Sequence, residues 1–169
     1  MCSIGLVLLF ASCVPGWRST PRSQAAPNSL FNYSWTWTDE HGDRVTFSQW
    51  RGTPLVVAAV YTSCEDTCPR TIAKLREIYH RFGLEHRRAE FVLVSMDPHP
   101  DTPAQLRDYK TSKELPEPWH LLTGDHRAVE QLTDVLGIHV MEMESHTVHD
   151  ARITVFDGAG RSDASLDVL

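Results

Sequence analysis

Two short, unbroken apolar runs with one amphipathic stretch between them leave this chain few folds to choose from. Residues 54–61 (PLVVAAVY) and 91–96 (FVLVSM) are branched, uninterrupted and too short for helices, so both read as strands buried on both faces. Between them, Ile72, Leu75, Ile78, Tyr79 and Phe82 recur at three- and four-residue steps, the mark of a helix with one apolar face from 69 to 82. Gly83 is the expected stop of that helix. A strand, a helical crossover and a second strand imply a parallel pair.

The join between the first strand and the helix, residues 61–69 (YTSCEDTCP), carries Cys64 and Cys68. Pro69 suits the first helical position, where no N–H is needed, so Cys68 is expected at or next to the N-cap. The positive end of the helix dipole favours a thiolate there. One helical turn separates such a pair, with Cβ atoms roughly 5–6 Å apart. A disulfide wants roughly 3.5–4.5 Å, so modest adjustment in the loop closes one. An inert bridge, a redox pair and a metal clip are all open on this spacing. A metal needs further ligands, and residues 139–149 (HVMEMESHTVH) supply candidates. His149, just before an apolar strand, is the better-placed third ligand; His146 lies three residues earlier. Two thiolates and an imidazole suit Cu(I) and still hold Cu(II), whereas structural zinc wants a fourth ligand. Met141 and Met143 read as hairpin packing. Asp97 and Asp101, around Pro98 and Pro100, read either as turn and capping residues or as carboxylates that support the site from behind.

The rest of the chain builds around this centre. Residues 31–37 (FNYSWTW) alternate, and 44–48 return after a turn at 39–43, so an N-terminal β-hairpin with an aromatic core face is expected. Thr102 caps a helix from Pro103 to about Lys113. A strand over 117–122 follows. Asp125 opens a helix whose Val129, Leu132, Val135 and Leu136 share a face, stopped by Gly137. Residues 139–149 and 152–156 read as an irregular hairpin, and 157–160 as a turn. This order describes an α/β thioredoxin-like sandwich.

Ahead of the domain, residues 4–14 are apolar but far shorter than the roughly 20 residues of a membrane span, and suit an export signal. Ala11-Ser12-Cys13 resembles a bacterial lipobox, which would anchor the chain through Cys13. The expected division is a signal segment over 1–13, a flexible Pro- and Ser-rich tether over 14–29, and one domain over 30–169. That implies an extracytoplasmic place, the bacterial periplasm or the outer face of the cell membrane. A net charge of −6 with no basic stripe argues against nucleic acid as a partner.

Taken together, Tyr61-Thr-x-Cys64-x-x-x-Cys68-Pro69, then Val94-Ser-Met-Asp97-Pro-x-x-Asp101-Thr-Pro103, Leu122-Thr-Gly124, and His149 eight residues before Asp157 resemble the Sco/SenC family of thioredoxin-like copper proteins. The resemblance runs from about Phe31 to Gly160. It implies one copper per domain on Cys64, Cys68 and His149, with Asp97 and Asp101 behind them. It also implies a chaperone more than an enzyme, delivering copper to the dinuclear site of a cytochrome c oxidase subunit or serving another copper or thiol protein. The rival reading is a thiol–disulfide oxidoreductase that keeps a partner's cysteines reduced. This chain has Val148 where the family has an acidic residue, and Glu65 where it has proline. The family continues past the Gly160 turn with a strand and a C-terminal helix. With the sequence ending at Leu169, a sandwich lacking that helix is expected, with an apolar patch exposed on one sheet face.

Overall fold

The structure is a computed structural model that describes residues 28–60, 62, 67–96, 101–142, 147–149 and 151–168, with the main chain alone for 67–69, 140–142 and 147–149. The expected signal segment and nearly all of the tether lie outside these residues. Among the described residues, strands β1 (Trp37–Asp39), β2 (Arg44–Val45), β3 (Leu55–Val60), β4 (Glu90–Ser95), β5 (Trp119–Thr123), β8 (Arg152–Phe156) and β9 (Ser162–Asp167) form one sheet in the order β2-β1-β5-β4-β3-β8-β9. Helices α1 (Thr67–Leu84), α2 (Pro103–Ser112) and α3 (His126–Leu136) pack on it, and β6 (Val140–Glu142) pairs with β7 (Thr147–His149) apart from it. The architecture is the α/β thioredoxin-like sandwich.

Its centre follows the sequence closely. All six residues of β3 are buried, and β3 runs parallel to β4 from Leu55↔Glu90 to Val60↔Ser95, with β4 parallel to β5. Alternation divides these strands between two cores. Val57, Ala59, Val92, Val94 and Leu122 face α3, whose Val129, Leu132 and Leu136 sit on one stripe. Val56, Ala58, Phe91 and Leu93 face α1 and α2. The Asp125 side chain caps α3 by accepting from Ala128 N at 2.8 Å, and Gly137 ends it at φ 66°. Thr102 caps α2 in a reciprocal box with Gln105.

Several boundaries differ from expectation. Residues 31–37 are not one strand: Leu30–Asn32 is a 3-10 turn, and only Trp37–Asp39 joins the sheet. Ser29, at the last position of the expected tether, is buried; its hydroxyl accepts from Phe31 N and donates to Ala159 O at 2.6 Å, which bends the segment against the 157–160 turn. Gly160, at φ 77°, makes room for this, since a Cβ there would collide with Ser29 Oγ and the Phe31 ring. The aromatic residues still form core: Phe31, Trp35, Trp37 and Phe47 are buried, with Trp37 edge-on to Phe47 at 5.8 Å, while Tyr33 is 39% exposed and stacks on Trp35. After β2 the expected return strand becomes a second 3-10 turn, Phe47–Trp50.

Helix α1 starts two residues earlier than expected and passes through Gly83 to Leu84. Gly83 is exposed and costs a helix only about 1 kcal/mol relative to alanine, so it does not stop one that is held by Ile72 and Leu75 in the core. His86, at φ 53°, takes the left-handed position beyond the helix end. The hairpin expected between 139–149 and 152–156 does not form. Instead β8 returns to the main sheet, antiparallel to β3, because Ile153 and Phe156 complete the two cores. The last strand, β9, was implied by the resemblance, which puts a strand after the Gly160 turn, but not by its own pattern: every residue of it is exposed, and its place is set by backbone pairing to β8 and by Arg152 Nε donating to Asp167 at 2.7 Å. Between α1 and β8–β9 lies an open groove of about 370 Å³, lined in part by Ile78, Phe82, Ile153, Val155 and Leu166.

Candidate functional site

Parallel strands β3 and β4 end level with one another, and Met96 N donates to Val60 O at 2.9 Å as the last rung between them. Beyond that rung, one chain leaves toward the cysteines and the other toward 97–101. Strand β8 runs the opposite way beside β3, in the register Ala58↔Ile153, so its first residue lies at this same end of the sheet. Ala151, buried, leads into it, and β7 stops two residues earlier at His149. The N-termini of α1 and α2 point to this end as well. Ligand sites in open α/β sheets favour this place, outside the carboxyl ends of parallel strands.

The candidate residues fall unevenly on this frame. Cys64, Asp97 and His146 lie outside the described residues. Cys68 is the second residue of α1, with Thr67 first and Pro69 third, two steps deeper than the first position expected for Pro69. Proline is tolerated there because N–H groups of the first turn lack intrahelical acceptors. His149 ends β7, its main chain opposite Val140. For Cys68 and His149 the structure thus supplies a main-chain position, the one in the first turn of the helix that follows β3, the other two residues before the buried Ala151 that leads into β8.

Asp101 is described in full. It does not cap α2, a task that Thr102 performs. It is 1% exposed and accepts from the next strand's exit: Thr62 N lies 3.2 and 3.1 Å from its two oxygens, Thr62 Oγ1 donates to Oδ1, and Ser95 Oγ donates to Oδ2 at 2.7 Å. Thr62 and Ser95 stand in the quoted motifs but were given no role by sequence reasoning. The available signal was their place there, Ser95 as the polar last residue of β4 and Thr62 two residues past the end of β3.

The family model for SCO1/SenC matches residues 23–168. The chain is 26% identical over 90 residues to a SCO1 protein homolog of Bacillus subtilis, covering 53% of this chain and 47% of that protein. Its fold superposes on ScoI of Bradyrhizobium japonicum, solved with copper bound, with a TM-score of 0.68 and 24% identity over 79% of this chain and 87% of that one. A SCO1/SenC family lipoprotein of Bacillus anthracis gives a TM-score of 0.72 at 20% identity, over 80% and 83%. The chain spans about half the length of the curated relatives it matches, between 38% and 51%. With a family model running from ahead of the first turn to the end of β9, over a sandwich of the same fold, the chain belongs to the SCO1/SenC family.

Proposed function

We propose that this chain carries copper as cargo, one ion per domain, on Cys64, Cys68 and His149, and delivers it to the dinuclear copper site of cytochrome c oxidase during assembly. Copper binding and a part in cytochrome c oxidase assembly are what its family is known for; delivery to that particular site is the finer reading. The observation that carries the ligand set is the common end of β3, β4 and β8. The exit of β3 toward the cysteines and the entry to β8 just after His149 lie at the same end of the sheet, which supports this reading. The donor set fits the cargo, since two thiolates and an imidazole serve both Cu(I) and Cu(II). We place the domain outside the cytoplasm, tethered through Cys13, consistent with the lipoprotein of similar fold. Among the described residues no helix is long and apolar enough to cross a membrane.

Anaerobic copper titration of the reduced chain is the direct test. The expected result is one copper bound by the wild type and at least a hundredfold weaker retention in His149→Ala. Equal retention by both chains would remove His149 from the site. A second reading, a thiol–disulfide oxidoreductase, draws on Cys68 lying in the first turn of α1, where the dipole favours a thiolate. A wild-type chain that binds no copper but reduces a partner disulfide would select that reading.

A further inference from the structure

We infer that Asp101 is a positioning residue for the thiol pair, fixing where Cys64 stands relative to Cys68 by holding the main chain at Thr62. The inference rests on the thiol-pair chemistry proposed above, copper or redox, but not on the choice between them. Cys68 rides on α1, which Ile72 and Leu75 anchor in the core. Cys64 precedes the first residue of that helix in the sequence. The described anchor nearest to it is Thr62, two residues before, whose N–H and hydroxyl both go to the Asp101 carboxylate.

That carboxylate is itself immobilised. Ser95 Oγ, fully buried at the end of β4, donates to it, and the next residue opens α2 through the Thr102–Gln105 box, with Leu106 buried one turn on. A carboxylate this buried is costly unless its lone pairs are met, and here Thr62 and Ser95 meet them. The clamp spans 39 residues of sequence and joins the two chains just where their last backbone rung, Met96 to Val60, gives out. A brace for β3 and β4 would be redundant, because six paired residues already hold them. What the clamp adds is a fixed direction for the chain entering the cysteine loop, and thereby a fixed reach between the two sulfurs.

The test is the thiol–disulfide equilibrium of the copper-free full chain in glutathione buffers. In it Cys64 and Cys68 lose two protons and two electrons to form one S–S bond, and one glutathione disulfide becomes two thiols. Freeing Thr62 lowers the effective concentration of one thiol at the other. Asp101→Asn is expected to shift the equilibrium at least tenfold toward the dithiol. Thr62→Val, which keeps the main-chain donor and loses the hydroxyl, is expected to shift it about threefold in the same direction and covers the case in which Asp101→Asn does not fold. Ser95→Ala should fall between them. If the folded variants melt earlier yet keep the wild-type equilibrium within twofold, Asp101 is only a brace and the inference fails. Because no copper enters this measurement, a chain that fails the copper titration can still pass it, and the reverse.

Discussion

The two edges of the main sheet are held by different physics. At the β2–β1 edge, Trp37 and Phe47 are buried, and the turn between the strands carries Glu40, only 2% exposed. Its carboxylate takes Lys110 Nζ at 2.6 Å and Leu121 N at 2.9 Å, Lys110 reaches the carbonyls of Glu117 and Trp119, and Arg107 donates to the Glu40 carbonyl. A short edge is thus riveted to α2 and β5 from inside. At the β9 edge six residues are exposed and Leu166 lies 41% open beside the apolar groove. There the backbone ladder and surface pairs do the holding. An edge of two- and three-residue strands depends on side chains, whereas a six-residue edge stands on its backbone.

Substitutions can break this contrast, beginning where the effect is largest. Trp37→Ala should cost about 3–5 kcal/mol, as large-to-small changes in a packed core do, and a urea melt measures it. Glu40→Ala should cost about 3 kcal/mol, because Lys110 loses its counter-charge and Leu121 N its acceptor in a buried setting. A loss near that of an exposed ion pair, under about 1 kcal/mol, would show that the rivet is ornamental and the edges alike.

On the other side the effects shrink. Asp157, in the turn leading to β9, accepts from the main chains of Ala159 and Arg161 and from the Arg161 guanidinium. Burial pushes its carboxyl up, and these hydrogen bonds together pull it further down, below the ordinary value of 3.8. Its stabilisation is therefore present above that value and fades as the pH falls through the lowered one. Asp157→Ala should cost about 1 kcal/mol at neutral pH. The gap between variant and wild type should close in melts taken below pH 3.8. A gap that widens in acid would reverse the assignment. Leu166→Lys should change stability by less than about 0.5 kcal/mol while reducing dye binding to the groove, since surface changes rarely do more. A loss comparable to Trp37→Ala would mean that β9 is held from the groove and not by its ladder.

The same contrast separates what could be read in the sequence from what could not. The runs at β3 and β4 and the face of α3 were legible because burial on both sides or on one stripe writes itself into periodicity. Thr102, Asp125 and Gly137 were legible because caps have their own chemistry. β9 was not: Ser-Asp-Ala-Ser-Leu-Asp buries nothing, so no pattern records its pairing to β8. Glu40 read as a turn residue, since a carboxylate's burial depends on a lysine 70 positions away. At the candidate site, Cys64, Cys68, His149 and Asp101 were named from spacing and resemblance. Thr62 and Ser95 were passed over because their role exists only once β3 and β4 lie side by side.

The antiparallel return of β8 has a temporal consequence. Ala58 and its partner Ile153 are 95 positions apart, the difference between their numbers, while β3 and β4 are joined across a single helix. Contacts of long sequence separation form late because closing the larger loop costs more entropy. Pulse-labelled hydrogen exchange during refolding should find β4 amides protected before those of β8, and simultaneous protection would refute the order. On that schedule the segment that leads to the proposed thiols is in place before the one that follows the proposed imidazole, so the proposed copper site would be completed as the closing act of folding.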